Sequence, residues 1–92
     1  PERSHVILLD VAGKQLSSEG IAVRMDALML SGISEITFVV GGSGGVSRSV
    51  HEFSDEQLSF GKITLPHNLA RVVLLEQIYR AFKISRGEPY HK

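Results

Sequence analysis

Apolar positions along the chain follow two alternating patterns. Residues 5 to 9, HVILL, are a continuous apolar run, as expected of a strand covered on both faces. The segment SSEGIAVRMDALMLSG places Ile21, Ala22, Met25, Leu28 and Met29 at helical spacing. Ser17 or Ser18 supplies an N-cap and Gly32 a stop. Residues 36 to 40, ITFVV, are β-branched and aromatic and predict a second buried strand. Val46, Val50 and Phe53 mark a short helix over 46 to 54. Leu58 and Phe60, then Ile63 and Leu65, alternate and predict a third strand that runs into a loop. A long helix follows over about 66 to 85, with Pro66 tolerated in its first turn. This order of strand and helix predicts an α/β fold, a parallel sheet with helices on both faces.

The last helix changes the picture. Glu76, Arg80 and Lys83 share one stripe, while Leu69, Val72, Val73, Leu74, Leu75, Ile78, Tyr79 and Phe82 cover most of the remaining surface. One sheet cannot cover so wide an apolar surface, so a second subunit is expected, making the protein a homodimer. At 92 residues the chain is one domain. It has no cysteine, which removes disulfides, thiolate nucleophiles and Cys-based zinc sites. No apolar run is long enough to span a bilayer, and the start does not have the layout of a signal peptide, so a cytoplasmic protein with no membrane partner is expected. His5 and His51 lack metal-ligand spacing, and no metal site is expected. The net charge of zero conceals a split. Residues 1 to 61 carry four basic against eight acidic residues, a net −4, and residues 62 to 92 carry six against two, a net +4. That asymmetry suits an anionic partner such as nucleic acid, or else a helix face whose charges pair internally.

In parallel sheets of this kind ligands sit at the carboxyl ends of the strands, which singles out three loops: after Leu9, after Val40, and around residues 60 to 67. The second, GGSGG at 41 to 45, is open to several readings. Its G-x-S-x-G spacing fits a serine nucleophile elbow, with Asp55 and His67 or His91 following Ser43 in hydrolase order; three strands are too few to hold such a triad and its oxyanion hole. A phosphate loop lacks the Gly-Lys-Ser/Thr continuation, and Ser47 stands where the last glycine of a dinucleotide fingerprint belongs. A cofactor floor and a bare left-handed turn remain.

LLDVAGKQLSSEG, FVVGGSGG and above all LSFGKITLPHNLARVVLLEQIYRAFKISRGEPYHK resemble the RlmH family of ribosomal large-subunit pseudouridine N3-methyltransferases, within the SPOUT superfamily. The resemblance covers essentially the whole chain and implies a C-terminal trefoil knot, an obligate homodimer and S-adenosylmethionine as methyl donor. It also implies that residues 1 to 92 are a single SPOUT core lacking the family's N-terminal portion, so that the knot is shallow. The family's cofactor contacts fall on Leu9, Gly41, Phe60, Gly61, Lys62, Ile63, Thr64 and Leu65, on the three loops already singled out. The substrate implied is N3 of pseudouridine in ribosomal RNA, free or in the assembled ribosome. His67 is the candidate to contact the acceptor, or else a histidine that bonds locally at a helix start. Arg71 offers a planar fork for phosphate or a base edge, and Tyr90 and His91 are candidates to stack on or bond an exposed base. The alternative is a non-catalytic module that binds RNA or protein through its basic helix.

Overall fold

The computed structural model describes residues 4–41 and 48–89. Six elements follow in order: β1 (Ser4–Gln15), α1 (Ser18–Leu30), β2 (Glu35–Val40), α2 (Arg48–Phe53), β3 (Glu56–Ser59) and α3 (His67–Ser85). The strands form a parallel sheet in the order β2-β1-β3. The chain therefore leaves β1 on one side and returns on the other, and right-handed crossovers in opposite directions put the two connecting helices on opposite faces.

Alternation along β1 shows the two faces. Ile7 and Leu9 join Ile21, Ala22, Met25 and Leu28 of α1, Leu58 of β3, and Leu74 and Ala81 of α3 in one core cluster. Ile36, Phe38 and Val40, the register partners of His5, Ile7 and Leu9, pack against it. Val6 and Leu8 are also buried but point to the other side. Asp10, in phase with them, meets His51 of α2 at 3.4 Å, so α2 lies on that face.

The helix ends follow sequence rules. The Ser17 hydroxyl accepts from the Gly20 N–H at 3.0 Å and caps α1. At its other end Gly32 has φ 97°, and the Ile33 and Gly32 N–H groups donate to the Leu28 and Met29 carbonyls, which is a Schellman stop. Pro66 starts α3 without a side-chain cap, as its missing N–H allows.

Two strand expectations are corrected. The loop expected after Leu9 is strand: β1 runs on to Gln15, with its pairing to β3 shifted between Leu9 and Lys14. Gly13 makes this extension possible. A Cβ there would lie 2.7 Å from the Leu58 backbone nitrogen and 2.8 Å from the Gln57 carbonyl carbon, so only a residue without a side chain lets the two backbones pass so closely. The third strand is confined to Glu56–Ser59; residues 60 to 66 have left the sheet, and Ile63 is exposed.

The amino end of the sheet is held by polar contacts. Glu56 bonds His5 at 2.8 Å and accepts from Arg24 at 2.9–3.1 Å. Asp55 takes the Val6 N–H on its carboxylate at 2.7 Å and gives its own N–H to the Val6 carbonyl at 2.8 Å.

Candidate functional site

The pairing register brings Leu9 and the ends of β2 and β3 to one edge. Leu9 stands opposite both Val40 and Leu58, so the strands end their shared register in a single row. Gly41 follows Val40, and Phe60 follows Leu58 by two residues. Adjacent strands lie about 4.8 Å apart, so the two outer loops flank Leu9 within reach of one small ligand. The Leu9 side chain is buried in the α1–α3 core; what it offers at the edge is its backbone.

The run from 60 to 65 is mostly exposed and is tied at both ends. The buried hydroxyl of Ser59 donates to the Gly61 carbonyl and accepts from the Gly61 N–H, each at 3.0 Å. Gly61 has φ 117°, and nothing lies within 4 Å of where its Cβ would be. At the far end His67 Nδ1 lies 3.3 Å from the Gly41 carbonyl oxygen, which joins the start of α3 to the end of β2. Ser59 was missed in the sequence pattern; a serine two residues before a glycine at a strand end is the available signal, since short hydroxyl side chains bond their own turn.

A cleft of about 350 Å³ opens beside this edge on the α1–α3 side, lined in part by Ser17, Ser18, Ser59, Phe60 and Gln77. It shares only Phe60 with the predicted contacts. Its polar groups are already engaged: Ser17 caps α1, Ser18 bonds Gln77 at 2.6 Å and Ser59 holds Gly61. The run after β3 instead carries a glycine over open space and the exposed side chains of Phe60 and Ile63, a surface that combines apolar area with close access to main chain.

Charge at the site comes from a few groups. In α3 and just beyond it, Arg80 pairs with Glu76 at 2.7 Å and Lys83 with Glu88 at 2.6 Å, with Arg86 at 3.9 Å from the same Glu88. These pairs use the segment's two acids, which its net +4 already counts, so the positive excess of the C-terminal third remains. Lys62 and Arg71 are exposed and form no ion pair among the described residues. At the opposite end, burial pushes the Glu56 carboxyl up, but the hydrogen bonds from Arg24 and His5, together with their charges, outweigh it and hold it below the ordinary carboxylate range. The same bond raises the Arg24 guanidinium.

The hydrolase triad is excluded by placement. Asp55 sits at the amino end of β3, committed to the Val6 backbone, about four residues or ~13 Å of strand from the edge where the glycine loop starts. Ser43, Tyr90 and His91 lie outside the described residues. Among the described residues no group of three His, Cys, Asp or Glu is arranged to hold a metal ion, and no helix is long and apolar enough to cross a membrane.

The chain is similar to known proteins over essentially its whole length. Residues 1–91 match a family model described as "Predicted SPOUT methyltransferase". A ribosomal RNA large subunit methyltransferase H from Listeria welshimeri is 58% identical over all 92 residues, which span 58% of its length. The protein of the same name from Bacillus thuringiensis is 60% identical over 89 residues, covering 97% of this chain and 56% of its own. A putative one from Methanococcus maripaludis is 55% identical over the same extent. The chain thus spans a little over half the length of these relatives.

Proposed function

The chain belongs to the SPOUT methyltransferase family, and from that premise we propose that it binds S-adenosylmethionine at Leu9, Gly41 and the run Phe60, Gly61, Lys62, Ile63, Thr64 and Leu65. Its reaction is methyl transfer to N3 of a pseudouridine in large-subunit ribosomal RNA, in the cytoplasm. The observation that carries this reading is the common row of Val40, Leu9 and Leu58, which puts Leu9 between Gly41 and the run that begins at Phe60. The names of the relatives supply the substrate class.

When bound, the cofactor supplies a methyl group on a sulfonium sulfur that keeps the C–S bonding pair as the methyl passes to nitrogen. Leu9 and Gly41 offer backbone groups to the cofactor's polar atoms, Gly61, its backbone held by Ser59, leaves open space for close approach, and Phe60 and Ile63 offer apolar surface to its base. Their task is positioning, which accounts for most of the barrier lowering in a direct displacement. His67 takes the proton that the acceptor nitrogen loses. Arg71, one helical turn on, holds a phosphate or base edge, and Lys62 adds positive charge on the same side. Tyr90 and His91 complete the RNA contact.

The working unit is a homodimer, and the chain passes through the shallow knot of its family. Leu69, Val72, Leu75, Tyr79 and Phe82 project from one side of α3 with exposures of 42–61%, a stripe that a second copy would cover. Calorimetry with S-adenosylmethionine or its demethylated product tests the site: saturable heat is expected, and none at millimolar ligand would favour a non-catalytic binding module. Gly41→Val should abolish that heat while leaving the circular dichroism spectrum unchanged, and retained binding would remove Gly41 from the pocket.

A further inference from the structure

The contact between His67 and Gly41 fixes more than a loop. A backbone carbonyl oxygen only accepts hydrogen bonds, so the 3.3 Å approach of His67 Nδ1 to the Gly41 oxygen requires the hydrogen to sit on Nδ1. In the neutral ring the other nitrogen, Nε2, is then bare. We infer that His67 is a positioning residue of the cofactor edge. Its Nδ1–H straps the start of α3 to the end of β2, and the strap selects the tautomer that leaves Nε2 free to accept a proton.

The surroundings support this role. The run from 60 to 66 bridges β3 and α3 and has one tie at each end: the Ser59 hydroxyl on both backbone groups of Gly61, and the His67 ring on Gly41. Without the ring contact, the start of α3 has no cap of its own, since Pro66 makes no side-chain bond. The strap thus holds the end of β2 and the start of α3 at a set spacing. It also explains how one side chain serves two purposes: the nitrogen facing the fold is a permanent donor, and the nitrogen facing away is a base that can act without releasing the strap, because both the neutral and the protonated ring keep a hydrogen on Nδ1.

The inference rests on the cofactor reading for its consequence but not for its geometry, and two measurements separate them. The first is a long-range proton–nitrogen correlation spectrum of the nitrogen-15-labelled chain at mildly alkaline pH, with the His67 signals identified by their loss in His67→Asn. Nδ1 should appear as the protonated nitrogen and Nε2 as the bare one, the opposite of the form that a free histidine side chain prefers. The second is calorimetry with the demethylated cofactor product. The His67→Asn amide nitrogen replaces Nδ1 and should keep affinity close to wild type, whereas the His67→Gln nitrogen reaches only the Nε2 position and should weaken binding by about 3- to 10-fold, one hydrogen bond's worth. A hydrogen found on Nε2, or equal affinities for the two variants, would overturn the inference while leaving the cofactor site intact. A wild-type chain that shows the Nδ1–H form yet binds no ligand would overturn the cofactor reading and leave the strap standing.

Discussion

Gly13→Ala places a methyl group where two backbones already touch. The added Cβ would stand 2.7 Å from Leu58 N, 2.8 Å from Gln57 C and 2.9 Å from Leu58 C, against an ordinary contact of about 3.5–4.0 Å. The atoms it meets are main chain inside a paired strand and cannot rotate away as a side chain would. Either β1 or β3 must therefore move by roughly 0.7 Å or more, at the one place where their register shifts. Overpacking of this kind costs about 1–3 kcal/mol, while alanine's smaller unfolded-state entropy returns about 0.4–1 kcal/mol. A net loss of about 1–2 kcal/mol lowers Tm by about 4–16 °C in a domain of this size. The total stability of such a chain is only about 5–14 kcal/mol. Thermal unfolding followed by circular dichroism measures the shift. Because Leu58 is followed directly by Ser59 and the cofactor run, ligand affinity should fall together with Tm. Gly61→Ala is the control: nothing lies within 4 Å of its Cβ, so any loss comes from its φ of 117° alone. An unchanged Tm for Gly13→Ala would refute the close crossing of β1 and β3.

Three further outcomes are expected. Glu56→Gln leaves Arg24 and His5 without their charged partner and should cost about 1–2 kcal/mol at neutral pH, between the values for exposed and buried pairs. Because the Glu56 carboxyl is held below its ordinary value in the folded state, its contribution is present above about pH 4.3 and is lost as the pH falls; urea unfolding at neutral pH and at about pH 3 should therefore show the variant's deficit shrinking in acid, and a constant deficit would contradict the assignment. Arg71→Ala should weaken RNA binding or turnover and spare cofactor affinity, as read by filter binding and calorimetry; lost cofactor affinity would move Arg71 into the pocket. In sedimentation equilibrium the wild type should be a dimer at micromolar concentration, and Leu75→Asp should raise its dissociation constant at least tenfold, since an interfacial leucine contributes about 1.5–3 kcal/mol; a well-folded wild-type monomer would refute the proposed use of α3.

The carboxyl edge was readable because each of its parts has a local cause. Val40 ends a β-branched run and is followed at once by glycine, and α1 announces both of its ends through Ser17 and Gly32. The helix start after Pro66 is likewise written into the chain. β1 beyond Leu9 was not readable from such signals. Asp10 and Gly13 look like turn residues, and the extension to Gln15 exists only because β3, more than forty residues later, lies close enough to pair with it. Gly13 within a segment that otherwise alternates was the available clue, since a glycine in a strand marks a bulge or a close backbone approach. The short third strand has a similar explanation. Residues 60 to 65 alternate as a strand would, but Ser59 turns the chain by bonding both backbone groups of Gly61, and no partner strand lies beyond Gln15 to hold the run in the sheet.

The same contrast bears on what makes this edge a site. Order along the chain put Ser43, Asp55 and His67 in hydrolase sequence, yet order says nothing about which end of a strand a residue occupies. Asp55 begins β3 and His67 follows the loop that leaves it, so the sheet separates them by the length of the strand and gives each a different backbone partner, Val6 and Gly41. With Asp55 spent on the amino end, the contact that orients His67 among the described residues is to main chain. A histidine oriented by a carbonyl rather than a carboxylate lacks the buried negative partner that a hydrolase triad gives its histidine. It is poorly suited to activating an alcohol. That difference in ring partner argues against serine hydrolysis at this edge.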